Sequence, residues 1–237
     1  MKFADLHIHT QASDGWLTPE MAVEEANRAG LAAISVVDHD SVNAMEAAIW
    51  AGKKYGVEVI PGVELSSEFE GRELHILGYF IDWHDKQLQD KLLTIQEARI
   101  DRAKRILEKL RGLNINISYN VIIVIAGGTV GRPHIAQVLL DRGYVRTVQE
   151  AFEKYLGIDR PAYVEKYPLS PAEAIRMIRR VGGISALAHP VFARTDEVLP
   201  ELVDQGLHAI EAYHSRHDAA ATRHFEQLAK KYDLLIV

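Results

Sequence analysis

The stretch Phe3-Ala4-Asp5-Leu6-His7-Ile8-His9-Thr10, closed by Ser13-Asp14-Gly15, decides how the chain is read. It has the form of a short strand running into a turn. Side chains alternate faces along a strand, so His7 and His9 project together and Leu6 and Ile8 share the opposite face. Two imidazoles followed by a turn carboxylate suit a divalent metal. A His-x-His pair met alone is more often two surface histidines, so the remaining chain has to discriminate.

Working outward, Thr18-Pro19-Glu20 opens a helix, with Thr18 suited to the N-cap and Pro19 to the first helical position, and Gly30 ends it. Leu31-Ala32-Ala33-Ile34-Ser35-Val36-Val37 is a continuous apolar run, as a parallel strand covered on both faces requires. It ends in Asp38-His39-Asp40. A second helix is expected over 42–55, a third strand over 57–65 ending in Glu64, and a fourth over 74–80 carrying His75. This alternation predicts parallel strands joined by right-handed crossovers, with the ligand site at the strands' carboxyl ends. His7, His9, His39 and Glu64 all fall there.

Past residue 85 the character changes. A long charged helix is expected over 86–111, and 115–125 suits either a strand or a short helix. Arg132-Pro133-His134 starts another helix, and 148–155 one more. Residues 94–170 read as a helical insertion covering the site, which leaves 1–93 and 171–237 for the metal-binding barrel. Ser170-Pro171-Ala172-Glu173 has the capping-box spacing. A strand over 184–188 ends in His189-Pro190, another over 207–212 leads into Tyr213 and His214, and a helix over 218–232 precedes a last strand.

With 237 residues, 48% of them hydrophobic, the chain can build one large core, or one core and a small inserted subdomain. The net charge of -6 provides no global basic field, so phosphate binding must be local and duplex DNA is not an expected partner. The absence of cysteine removes disulfides, thiolate metal sites and a cysteine nucleophile. No apolar run approaches the ~20 residues of a membrane span and no leader is evident, so a cytoplasmic location without membrane contact is expected.

The candidate ligands are His7, His9, Asp14, His39, Glu64, His75 and His189. Nitrogen and oxygen donors suit manganese, zinc or iron rather than an all-oxygen calcium site. Seven groups exceed one tetrahedral site, which implies two or three ions, with Glu64 able to bridge. Two ions roughly 3.5–4 Å apart can clamp the attacking and leaving oxygens of a phosphoryl transfer. Arg132 and His134 at a helix start favour an anion, although an ordinary proline-initiated helix with a surface arginine is an equal reading of the same residues. Arg99 and Arg102 share a helix face and could join a phosphate pocket, an exposed charged face being the commoner case. His214 and His217 follow a strand end and could touch substrate. Glu211 fits a structural or substrate role, and Asp38 and Asp40 suit orienting histidines or capping the next helix.

Together, His7-Ile-His9-Thr10, Asp14-Gly15, Val37-Asp38-His39-Asp40, Gly62-Val63-Glu64, His75-Ile-Leu-Gly-Tyr, Gly131-Arg132-Pro133-His134 and Leu187-Ala188-His189-Pro190 resemble the PHP (polymerase and histidinol phosphatase) domain. The closer likeness is to its stand-alone 3',5'-nucleoside bisphosphate phosphatases and 5'-to-3' exoribonucleases. The resemblance runs along essentially the whole chain. It implies an α/β fold, a distorted (β/α)7 barrel with an inserted helical subdomain and a trinuclear metal centre held by the seven ligands above. It also implies Arg132 and His134 as groups meeting the substrate phosphate, and Asp14, His39, Arg102 and His217 are expected beside them as substrate-binding residues. The expected activity is hydrolysis of a phosphate ester, on a nucleoside 3',5'-bisphosphate or the 5' end of a short RNA, by water activated at the ions. Histidinol phosphate is the alternative substrate, and a metal-binding module without turnover the alternative of another class. Family members follow the last strand with a Gly-Ser-Asp-Phe-His segment whose Asp and His are ligands. This chain stops at Val237, short of that segment, so a truncated barrel with incompletely coordinated ions is expected.

Overall fold

The computed structural model describes residues 2–70, 72–192 and 195–237. Seven strands form one sheet in sequence order: β1 (Ala4–Ile8), β2 (Ala33–Val36), β3 (Glu58–Phe69), β4 (Arg72–Tyr79), β5 (Ile184–Leu187), β6 (Ala209–Ile210) and β7 (Leu235–Ile236). β1, β2 and β3 run parallel, as do β5, β6 and β7. β4 is antiparallel to both neighbours, which corrects the all-parallel expectation. Only positions 70 and 71 separate β3 from β4, too few for a crossover, so the chain folds back as a hairpin paired from Gly62 with Tyr79 to Phe69 with Arg72.

The sheet curls. Its inner face carries one cluster of Val37, Leu77, Tyr79, Ala186, Ala188 and Ala209, with Leu6, Ile60 and Val237 packed against it. These residues come from every strand or its immediate continuation, and they can meet only if the sheet closes around them as a half-barrel. The outer face is covered by α1 (Pro19–Arg28), α2 (Met45–Tyr55), α7 (Pro171–Arg180), α8 (Thr195–Asp204) and α9 (Ala219–Tyr232), which share a core with Ile34, Val36, Leu65, Ile76 and Leu187. The helix ends follow the sequence signals. The Thr18 side chain accepts from Met21 N–H, Ser170 and Glu173 form a reciprocal capping box, and Gly56 closes α2 in the left-handed conformation.

β1 departs from simple alternation. Asp5 pairs with Ile34 but Ile8 with Val36, so β1 holds one residue more than its partner over that interval. The bulge separates Leu6, which plugs the inner cluster, from Ile8, which packs on the outer core. The expectation that they share a face is thereby corrected.

Between β4 and β5 the chain builds α3 (Lys86–Gly112), α4 (Tyr119–Ala126), α5 (Arg132–Asp141), α6 (Val148–Ala151) and a π-helical turn at Phe152–Leu156. The segment open between strand and helix is thus the helix α4. A second core, from Ala103 to Val164, belongs to this region. α3 serves both cores: Leu88, Leu92 and Ile95 pack on the barrel, whereas Ala103, Ile106, Leu107 and Leu110 pack in the second cluster. Among the described residues no helix is long and apolar enough to cross a membrane.

Candidate metal centre

Glu64 is the hub. It lies in β3 with no exposed surface, and five imidazoles reach its carboxylate. His75 Nδ1 and His189 Nε2 stand 2.8 and 3.1 Å from Oε1. His9 Nε2, His39 Nδ1 and His7 Nε2 stand 3.1, 3.2 and 3.4 Å from Oε2. Asp14 closes the open side, 3.6 Å from His9 and 3.7 Å from His39. All seven sequence candidates therefore meet at the carboxyl mouth of the half-barrel, brought by β1, β3, β4, and the ends of β2 and β5.

The supporting polar groups explain why the loops hold. Asp38, fully buried, accepts from the Thr10 N–H and hydroxyl and from the Ser13 hydroxyl, which pins the turn carrying Asp14. Glu211, one residue past β6, takes His7 Nδ1 at 2.8 Å and accepts from His189 N–H, tying β1 to β5. With Nδ1 engaged, the His7 ring presents Nε2 to the cluster, the arrangement a carboxylate imposes on a metal-binding histidine. Glu73 stands 3.5 Å from His75 Nε2 on the opposite side of that ring from Glu64.

The charges are strongly coupled. Burial opposes the imidazolium of His7, but Glu211 and Glu64 overcome it and push its pKa up to about 10. His75 follows the same logic, pushed up to about 9 by Glu64 and Glu73 against burial. His39 goes the other way, down to about 4, because burial and the charges of His75 and His9 outweigh Glu64. Burial favours a protonated Glu64, yet the surrounding imidazoles hold its carboxyl well below the usual range.

The donor set fits divalent ions. His39 Nδ1 and Glu64 Oε2 are buried and close, but neither has a hydrogen bond. Their lone pairs point into a shared volume that a cation would satisfy. Among the described residues, ligand atoms lie within 4.8 Å of one another in four trios: His7–His9–Glu64, His9–Asp14–His39, His39–Glu64–His75 and His7–Glu211–His214. Nitrogen and oxygen donors of this kind suit manganese, zinc or iron. The last trio adds Glu211 and His214, which the sequence placed as strand-end groups with a structural or substrate role, not as ligands. Their signal was the same one that found the others, a polar residue just past a strand.

Beside the cluster lies a cavity of about 170 Å³. Asp14, His39 and His75 of the ligand cluster line it together with Arg99, Arg102, Arg132 and His134. Arg132 packs against the rings of Phe152 and Tyr163 and donates to Leu156 C=O. Arg102 is half-buried rather than part of an exposed face, and its Nε donates to Val164 C=O. Burial and the nearby Arg132 pull its pKa down to about 10. His134 Nδ1 accepts from Gly131 N–H, and burial with the charge of Arg99 lowers its pKa, so its neutral ring carries the proton on Nε2. His217 is elsewhere: its ring packs between His214 and Phe225, and its Nδ1 lies 2.9 Å from Ala212 C=O. It does not line this cavity.

Comparison with known proteins places this architecture. Residues 5–165 match the model of the PHP domain. A "5'-3' exoribonuclease" of Haemophilus influenzae is 36% identical over 187 residues, 79% of this chain and 68% of that protein. A "3',5'-nucleoside bisphosphate phosphatase" of Chromobacterium violaceum is 31% identical over 188 residues, 78% of this chain and 66% of that protein. The match thus spans about two thirds of the length of these two relatives. A "Phosphoribosyl 1,2-cyclic phosphate 1,2-diphosphodiesterase" of Eggerthella lenta is 30% identical over 241 residues, 98% of this chain and 90% of that protein. Among solved structures, an amidohydrolase from Chromobacterium violaceum, described with bound sulfate and no metal, superposes with a TM-score of 0.89 at 28% identity, over 98% of this chain and 84% of that one. The chain belongs to the PHP domain family.

Proposed function

We propose that the chain is a metal-dependent phosphoesterase acting on a nucleoside 3',5'-bisphosphate or the 5' end of a short RNA, with two or three divalent ions held by His7, His9, Asp14, His39, Glu64, His75 and His189. The observation that carries this reading is the shared wall: Asp14, His39 and His75 belong both to the ligand cluster and to the cavity of Arg99, Arg102, Arg132 and His134. Such ions activate water and neutralise charge on phosphoryl oxygens. The side chains supply the rest. Arg132 and Arg102 offer forked donors to the phosphate oxygens that face away from the histidines. The neutral His134 Nε2–H donates a hydrogen bond to a phosphate oxygen, or to the ester oxygen as its bond to phosphorus breaks, and the departing alcohol takes its proton from water. The named relatives that cleave RNA or nucleoside bisphosphates support the substrate class.

A second reading is favoured by the near full-length match to the Eggerthella phosphodiesterase, in which the substrate is a phosphorylated ribose with a cyclic phosphate. One assay series separates these. Phosphate release, or ring opening, is followed with nucleoside 3',5'-bisphosphate, a 5'-phosphorylated short RNA, phosphoribosyl 1,2-cyclic phosphate and histidinol phosphate, each with manganese, zinc or iron. Turnover of the bisphosphate or RNA above the others is expected, with Arg132→Ala raising KM roughly 10- to 150-fold, the value of one lost charge-assisted hydrogen bond. Bound metal with no turnover of any substrate would leave a binding module.

A further inference from the structure

A second cavity, of about 200 Å³, adjoins the first: Glu73 and His75 line both. Leu74, Ala188, His189 and Phe192 complete its lining, so it touches two of the candidate metal ligands, His75 and His189. Its character is different. No arginine or lysine lines it, and Leu74, Ala188 and Phe192 make it half apolar. Glu73, at the junction, has its charge matched by Arg132 at 3.1 Å, Lys166 at 3.3 Å and His75 at 3.5 Å. Leu74 and Ala188 are buried, whereas Phe192 is 61% exposed. The path of the chain sets that ring. β5 ends at Leu187, and His189 turns the backbone with φ at +27°, a conformation uncommon outside glycine. The 3-10 turn Pro190–Phe192 follows, with Phe192 N–H donating to His189 C=O at 3.2 Å. The phenyl ring thereby returns to 5.8 Å from the His189 imidazole, tilted by 57°. An aromatic face is left to solvent beside the ligand cluster.

We infer that Phe192 is a specificity-determining residue, the aromatic platform on which a nucleobase of the substrate rests while the attached phosphate occupies the arginine-lined cavity. The inference rests on the reading of that cavity as a phosphate site and adds where the rest of the substrate lies. A nucleotide has an ionic end and a planar, π-faced end, joined by one ribose. The two cavities present the same contrast, cationic in one and apolar with an aromatic face in the other, and they meet at Glu73 and His75. Stacking on a phenyl ring needs no hydrogen bond, and every base has a π-face, so this subsite tolerates any base. It discriminates between ligands that carry a base and ligands that do not. A base-free ribose phosphate leaves Phe192 in water and forgoes the contact. Contacts to phosphate are common to both ligands and cancel between them, so the ratio of the two affinities reports the base alone.

The test uses the 237-residue chain, loaded with manganese and again after chelation. Calorimetric titration compares two ligands that cannot be hydrolysed, the 5'-methylenephosphonate of adenosine and the 5-methylenephosphonate of ribose. The wild-type chain is expected to bind the adenosine ligand roughly 10- to 100-fold more tightly, the range of one base stacked on one aromatic side chain. Replacing adenine by uracil should keep most of that ratio. Phe192→Ala should bring the ratio to within about threefold of unity while the ribose ligand binds as before. Phe192→Tyr, which keeps the aromatic face, should retain it. Manganese per chain and the melting curve are followed in each variant, and both should match wild type. An unchanged ratio in Phe192→Ala, or a wild-type ratio near unity, overturns the inference and leaves the phosphate reading standing. Loss of manganese in Phe192→Ala would make the residue a prop for His189 and overturn the inference too. Failure of the wild-type chain to bind either ligand overturns the phosphate reading and this inference with it.

Discussion

Glu64 shows how one residue sets the chemistry of a site. It offers two oxygens to five rings, and in the metal-free chain the balance is kept by protons. His7 and His75 are held charged up to about 10 and about 9, above the ordinary histidine value. The stability this adds is complete below the unfolded value of about 6.5 and is lost as pH rises through those folded values. Glu64 and Glu211 shift downward, so their contribution is present above the usual carboxylate range and is lost on acidification. A metal ion needs the same lone pairs and must expel the protons on His7 and His75. Apparent metal affinity should therefore climb as pH rises from 6.5 to 9, measured by competition with a chromophoric chelator. A flat profile over that range would contradict the cluster as the site of loading. His7, His9, His39 and His189 were legible in the sequence because they lie at or just past strand ends, whereas Glu64 and His75 sit inside strands that run beyond the expected bounds. Glu211 and Glu73 were not legible as a clamp on His7 and a counter-charge to Arg132. Those roles exist only through partners 204 and 59 residues away along the chain.

At the scale of elements, the signals with a local cause were readable and those with a distant cause were not. The caps at Thr18 and Ser170 are written in neighbouring residues and stand where expected. The reversal of β4 was hidden because chemistry-bearing strand ends look alike in either direction; the missing crossover between β3 and β4 was the available clue. The bulge in β1 was hidden because it depends on register with β2. The turn after β1 is again local. A Cβ on Gly15 would lie 2.2 Å from His9 C=O and 2.7 Å from Thr10 N, both backbone atoms that cannot give way. Gly15→Ala must open the turn and draw Asp14 from His9 and His39. We expect a destabilisation of about 1–3 kcal/mol with the overall circular dichroism retained. Bound metal per chain should fall below wild type when measured by atomic emission. Unchanged metal content would show that Asp14 is dispensable as a ligand.

Among the described residues the barrel's inner and outer clusters and the core of the helical region pack around the proposed active centre, and Arg99 is the rivet. It lies on α3 between Ile95, in the barrel core, and Ala103, in the second core. Its guanidinium donates to buried Asp40 at 2.5 and 2.8 Å, to Ser66 Oγ at 2.6 Å and to Val130 C=O at 3.4 Å. One side chain thus joins the loop after β2, strand β3, α3 and the approach to α5. Asp40 has no exposed surface; burial alone would raise its pKa, and Arg99 with the Ser66 N–H holds it below the usual value instead. Removing one partner of such a pair strands a charge in the interior, which costs more than the pair contributes. Arg99→Met should therefore lower stability by about 3–5 kcal/mol in urea denaturation. Adding Asp40→Asn should recover part of that loss, because the stranded charge goes with it. The double-mutant cycle separates this from simple loss of packing: additive losses would mean the two groups act independently and that the cores are joined by apolar contact alone. A positive coupling would mean that the Arg99–Asp40 pair helps join the barrel to the helical core at the cavity that Arg99 lines.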